Sequence, residues 1–593
     1  MQKDNISHWS STVDLKGLLF FAQRLKECLF DYTLDTFKPR VLNTSILCHE
    51  ALNVYRDVEN NKIDSKNLDY LIEELNWSFK SDQIVKNLLG NERELFFPLV
   101  DSGKKNDLKL KLELLNKRTK PSIYLKYTTE FISESVKLNH KNDINLGIDA
   151  FVSTLKAFGF SQGYLYYKTH NFFFNRGNKI NNVNQIDEFL ECFILSQNSY
   201  SCIFKVSKDF EEISKTYSKF KISKIEIGEI NNVKGLPKRF VSSIDEDNQI
   251  FIKCDNIKAY DVNISRKNSF NLLNKLSDYF AFYHHKEKFE ISSDCIAVIN
   301  DSDGVTNGDW VYVNNPTNPM TKGVDKKKDK AAIQLERFLT SANFEPVTFR
   351  KIDRAIDLHG LSIESLNFEN QILNLWISLE MLIPHDSDSS KIQQITNTLV
   401  PFMTIDYLKS LLRYLASDIT KWNFHRARHY FSSIPDEYGA NNLERFSAFI
   451  CLPEFKEQRD NLLSELDNFP LLRNRIFYFS QNLGKPKYIH SLIKSHEQKL
   501  FWHLRRIYRT RNQIIHDGKR IGYLETLVEN GHNYLDTFLE TIINMNIDDK
   551  RINTLEQGIK NVELLYNRYN SYLSKNKDKT MDKDNFLNFL FGR

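Results

Sequence analysis

Arg509-Thr510-Arg511-Asn512-Gln513-Ile514-Ile515-His516-Asp517-Gly518 closes a long helix-patterned segment. Upstream of it, Leu500, Leu504, Ile507, Arg511 and Ile514 recur at steps of four, three, four and three, which is one stripe of an α-helix. Arg511 therefore interrupts an apolar face, where an unpaired guanidinium is costly. Arg505, Arg509, Asn512 and His516 form a neighbouring stripe with the look of a basic polar groove. Gly518 suits a helix C-cap and places His516 in the last turn, where the carbonyl end of the helix favours imidazolium. Asn512, one turn before His516, is placed to fix its ring.

The segments around this helix predict a mainly α fold with a central α+β segment. From 12 to 140, Leu15, Leu18, Leu19, Ala22, Leu25 and Leu29 step at three and four residues, giving a helical N-terminal domain over 1–140. Within it, the lysine-rich stretch 104–120 reads as a solvated helix face in preference to a partner-binding strip. From 141 to 330 the character is mixed. Tyr164–Tyr167, Phe172–Phe174, Cys202–Val206 and Ile250–Lys253 are aromatic or β-branched runs expected as strands, and a helix is expected over 268–285. A loop over 314–330, with Pro316, Pro319, Gly323 and Lys326-Lys327-Lys328, ends this domain. Helical pattern resumes over 331–545, where Ile372, Leu375, Trp376 and Leu379 make one stripe, and continues as a helical tail over 546–593.

At 593 residues the chain exceeds one core, and its hydrophobic content of 41% is ample for globular packing. A net charge of +5 permits nucleic-acid contact through a local patch without arguing for it. Seven scattered cysteines without a Cys-x-x-Cys pair read as reduced thiols, so a cytoplasmic protein is expected. No apolar run reaches the roughly 20 residues of a membrane span. Phosphate-loop and His-Glu-x-x-His patterns are absent. His425 and His429 stand four apart, but with two intervening arginines a basic turn is the preferred reading over a metal face.

Arginine followed four to six residues later by histidine is a weak pattern, and about two chance occurrences are expected in such a chain. There are two: Arg511 to His516, and Arg354-Ala355-Ile356-Asp357-Leu358-His359. Only the first carries an Asn after the arginine and an Asp-Gly after the histidine. Arg511-Asn512-x-x-x-His516 resembles the motif of the HEPN superfamily of helical ribonuclease domains. With Arg354–His359 and the helix Glu369 to Glu380 ahead of it, residues 345 to 545 look like the Apea-like branch, found in bacterial abortive-infection and other anti-phage proteins.

The resemblance implies an endoribonuclease domain over 331–545 that works as a homodimer without metal or cofactor. RNA supplies its own nucleophile, the 2′-OH, so the protein need only move protons and stabilise charge. His516 would transfer the proton, Arg511 would clamp the phosphate, and Asn512 would position one of them. Supporting roles fall to Glu380, which could orient Arg511, and to Asp517 and Arg509. On an ideal helix Arg511 and His516 stand about 140° apart, so one helix does not aim both at one atom, whereas a cleft between two dimer-related helices can. The expected partner is RNA, with tRNA among the substrates left open. A sensor in residues 1–330 would answer a phage-derived trigger. The alternative is a non-catalytic HEPN-like module that binds RNA or protein and dimerises.

Overall fold

The computed structural model describes the chain except for residues 1–3, 31–41, 100–104, 194, 232–239, 241, 243, 246, 301–309, 316, 323–324, 385–389, 518–521 and 593. The side chains of 105, 106, 227, 231, 516 and 517 also lie outside the description, as does the C-cap expected at Gly518. The chain forms two compact units. One joins Met1–Phe151, Lys179–Ile186 and Asn318–Arg593; the other joins Val152–Asn178 and Asp187–Thr317. The expected boundary between an N-terminal domain at 1–140 and a helical domain at 331–545 is therefore replaced by a shared unit.

Helices α1 (Lys16–Leu29), α2 (Thr44–Glu59) and α3 (Lys66–Ser81) open the larger unit. After the segment that contributes to the other unit come α4 (Pro346–Glu364), α5 (Phe368–Leu382), α6 (Lys391–Ile405), α7 (Pro486–Asp517), α8 (Leu524–Asp548) and α9 (Leu555–Asn576). Pro346 starts α4 at a position whose N–H would have no helical partner. Asn367 caps α5 by accepting from the Glu369 backbone N–H. The predicted stripe of α5 is buried: Ile372, Leu375, Trp376 and Leu379 share a core with Ile352 and Ala355 of α4, Leu500, Leu504 and Ile507 of α7, and Val528 and Leu535 of α8.

Helix α7 spans 32 residues and serves two cores. Its first turns bury Ile489 and Ile493 against the helices between α6 and α7, and its later turns meet α5 and α8. Helix α9 does likewise, with Leu555 and Val562 in one cluster and Tyr569 and Leu573 in the other. The expected tail over 546–593 is thus part of the packed unit. In the lysine-rich stretch, Lys105–Arg118 is helical. It buries Leu108, Leu112 and Leu115 and pairs Lys109 with Glu59, as a solvated face does.

His503 of α7 is buried, with Nδ1 3.1 Å from the Tyr534 hydroxyl of α8. Burial, with the Arg506 charge beside it, pushes its imidazole down to about 3 from 6.5. The unfolded chain thus takes up a proton that the folded one refuses, so stability falls as pH drops below 6.5 towards about 3. A His503→Leu variant is expected to flatten that slope, by up to about 1.4 kcal/mol per pH unit, in urea titrations between pH 6.5 and 4.

The smaller unit carries a five-stranded antiparallel sheet in the order β2-β3-β1-β4-β5. Its strands are β1 (Asn198–Ser207), β2 (Ile222–Ile225), β3 (Gln249–Ala259), β4 (Ile291–Asn300) and β5 (Val311–Val313). Alternation along β1 sends Cys202, Phe204 and Val206 into a core with Leu273 and Leu276 of the helix Val262–Tyr283, while Ile203 joins Phe251, Ile296 and Trp310 on the opposite face. The runs at Tyr164–Tyr167 and Phe172–Phe174, expected as strands, lie instead in one helix, Gln162–Phe174. Ser161 caps it by accepting from the Tyr164 N–H, and Leu165, Thr169 and Phe173 face inward at a four-residue step. Local capping and helical spacing override the strand preference of aromatic side chains.

Candidate functional site

Arg511 sits near the end of α7, three-quarters buried, and faces α5. Its Nη1 donates to Asn512 Oδ1 at 2.9 Å, and its Nη2 stands 3.7 Å from Glu380 Oε2. The Glu380 carboxylate is itself oriented, accepting from Trp376 Nε1 at 2.7 Å one turn earlier on α5. Trp376 is fully buried and lies against Tyr508 of α7, with ring centroids 5.7 Å apart. A fixed indole therefore holds a carboxylate, which in turn faces a guanidinium. Arg511 Nε is buried with no hydrogen-bond partner among the described residues, a donor left over in an otherwise satisfied setting.

His516 and Asp517 are in the last turn of α7. The structure thus places Arg511, Asn512 and Glu380 together and carries the backbone of His516 on the same helix. Isoleucines border the pair: Ile377, three residues before Glu380, and Ile515, four after Arg511, are both more than two-fifths exposed.

Arg509 does not join this group. Its Nη2 donates to Glu50 Oε1 of α2 at 2.7 Å, and Arg506 donates to Glu50 at 3.1 Å and to Glu74 of α3 at 2.5 Å. Burial would raise the Glu50 carboxyl, but the two arginines outweigh it and hold it down at about 2. Burial dominates at Glu74, whose carboxyl is shifted up despite Arg506. Arg505 lies over the rings of Tyr70 and Phe501 and donates to Gln393 at 2.6 Å. The stripe expected as a basic groove is therefore an internal seam, with Arg505 and Arg509 spent on α2, α3 and α6. Of the stripe's described side chains, Asn512 meets Arg511. The carboxylates of that seam lie more than 400 residues away in sequence, and nothing in the local pattern announces them.

A cavity of about 780 Å³ opens further back along α7, among Tyr70, Glu73, Glu497, Phe501, Glu563 and Tyr566. Its three carboxylates disfavour a phosphate polyanion. At the second motif occurrence, Arg354 is exposed and faces Asp357 at 3.4 Å, while His359 points to His532 and Asp536 of α8. The spacing His532-x-x-x-Asp536 is a signal that sequence reading passed over. His425 and His429 are exposed and belong to no such cluster among the described residues. Among those residues no helix is long and apolar enough to cross a membrane. Comparison with known proteins returns no matching family model, no matching curated protein and no matching solved structure.

Proposed function

We propose that this chain is a metal-independent endoribonuclease of HEPN type, acting as the effector of a bacterial anti-phage, abortive-infection defence. The observation that carries the reading is the chain of contacts Trp376–Glu380–Arg511–Asn512, which presents a guanidinium at the end of the helix bearing His516. Helices α4, α5, α7 and α8 packed around one core support the reading.

In the proposed reaction the 2′-OH of one nucleotide attacks its own 3′-phosphate. His516 moves the proton, and Arg511 stabilises charge on the five-coordinate phosphorus while Asn512 and Glu380 fix its fork. The 5′-oxygen leaves with a proton, giving a 2′,3′-cyclic phosphate and a 5′-OH, and DNA is spared because it lacks the nucleophile. Two copies of α7 across a dyad would bring one protomer's Arg511 towards the other's His516. The exposed Ile377 and Ile515 on the faces of Glu380 and Arg511 support an apolar rim for that contact. RNA, including tRNA, is the proposed substrate, in the cytoplasm. Control by a phage-derived trigger is assigned to the smaller unit. Residues 1–151 are integral to the larger unit, so deleting 1–330 would remove part of the fold along with any sensor.

The alternative is a module that binds RNA without cutting it, with Arg511 as a phosphate contact. The deciding experiment incubates total RNA and tRNA with the full-length protein in EDTA, beside His516→Ala, and maps product ends. Cutting that leaves cyclic phosphates and disappears in the variant is the expected result. RNA binding equal in both proteins with no cleavage by either would replace the nuclease with the binding module.

A further inference from the structure

Helices α4 and α8 each send an imidazole to one point. His359 Nε2 and His532 Nε2 stand 2.8 Å apart, with the rings tilted by 33°. Asp536, one turn after His532 on α8, spans the pair: Oδ1 is 3.2 Å from His359 Nε2 and Oδ2 is 3.0 Å from His532 Nε2. Both imidazoles are largely buried, while the carboxylate is half exposed and opens the cluster to water on one side. The histidines hold Asp536 in its ionised form against the opposing effect of burial.

Protons alone serve this arrangement poorly. Each neutral imidazole carries one ring N–H. If both Nε2 atoms donate to Asp536, two donors face each other at 2.8 Å with no acceptor between them. If one Nε2 accepts from the other, the carboxylate loses a donor. A single cation meets the demands of all three groups at once. Ligands about 2.1 Å from a tetrahedral zinc ion stand about 3.4 Å from one another, so the three groups, now 2.8–3.2 Å apart, need to part by only a few tenths of an ångström to hold one.

We infer that His359, His532 and Asp536 form a binding site for one divalent transition-metal ion of the Zn²⁺ type. Two imidazoles and a carboxylate suit zinc and its first-row neighbours better than Mg²⁺ or Ca²⁺. The ion would staple α4 to α8, which both pack on α5, the helix that carries Glu380. At Gly531, beside His532, an added Cβ would stand 3.4 Å from Ile372 of α5, an ordinary van der Waals contact, so α8 packs directly on α5 here. The site shares no residue with those proposed for RNA cleavage, and its role is to brace the helix pair.

The test uses full-length protein stripped with chelator and dialysed free of it. Titration with ZnCl₂ is followed by calorimetry and with CoCl₂ by visible absorption, for wild type, Asp536→Asn and His359→Gln. One ion per chain is expected, with a nitrogen-ligated Co²⁺ spectrum, a rise in Tm on adding zinc, and a loss of affinity exceeding about 100-fold in either variant. Asp536→Asn keeps size and one acceptor, so a folded variant is retained for comparison by circular dichroism. Wild-type protein that takes up neither ion, or binding that is the same in wild type and both variants, would overturn the site. Neither readout involves RNA, so a negative result here leaves the nuclease reading intact; because EDTA would strip this ion, the cleavage assay is repeated with ZnCl₂ in place of EDTA, which separates loss of the brace from absence of the nuclease.

Discussion

Arg511→Ala is expected to lower kcat for RNA cleavage by about 10²–10³, the usual consequence of removing one preorganised donor to a transition-state oxyanion. The protein should stay folded. Arg511 is only three-quarters buried, and Glu380 keeps its bond from Trp376 Nε1 when the guanidinium is gone. Arg511→Lys keeps the charge but loses the planar fork, and should recover only a minor part of the rate. Glu380→Gln probes positioning: it keeps the acceptor facing Trp376 and removes the charge facing Arg511, so a drop in kcat with little change in KM is expected. Single-turnover cleavage with end-mapped products separates these variants. Wild-type rates from Arg511→Ala would end the assignment of this residue to catalysis.

Arg506→Ala is expected to destabilise the larger unit by about 3–5 kcal/mol, the range for breaking a buried charge network from one side. Arg506 is 2% exposed and bonds both Glu50 and Glu74, whose carboxylates come from different helices. Without it, Glu74 loses its bonded cation and Glu50 keeps only Arg509. Replacing Arg506, Arg509, Glu50 and Glu74 together by apolar residues of similar size should restore much of the loss, because the cost arises from uncompensated charge and not from lost volume. Urea unfolding monitored by circular dichroism measures both effects. An Arg506→Ala midpoint equal to wild type would show that the seam contributes nothing to stability. Removal of α2 and α3 should act in the same direction, so assays of the isolated 331–545 segment would report an unfolded chain.

The parts of this fold legible in sequence were those written in local periodicity. The α5 stripe and Leu500, Leu504 and Ile507 of α7 lie in one core, and Cys202–Val206 and Ile250–Lys253 are strands. Glu380 was within reach too, since one helical turn from Trp376 brings it against Arg511. What sequence did not reveal depends on distant partners. Arg509 reads as a polar-face cation until Glu50 is brought against it, and His359 reads as a chance motif member until α8 delivers His532 and Asp536. The aromatic runs of Gln162–Phe174 show a different failure: residue type favoured strand, while the Ser161 cap and four-residue spacing favoured helix.

The seam between α7 and the first helices also bears on the order of assembly. Glu50 and Arg506 are separated by 456 positions along the chain, so during synthesis α2 and α3 leave the ribosome long before their counter-charges exist. Their carboxylates remain hydrated until α7 arrives, and contacts of such sequence separation form slowly. A nascent polypeptide therefore spends most of its elongation without the cation that closes this unit. The helix carrying Arg511 is bound into the fold by the same late event, so the proposed cleaving surface and the mature core would appear together.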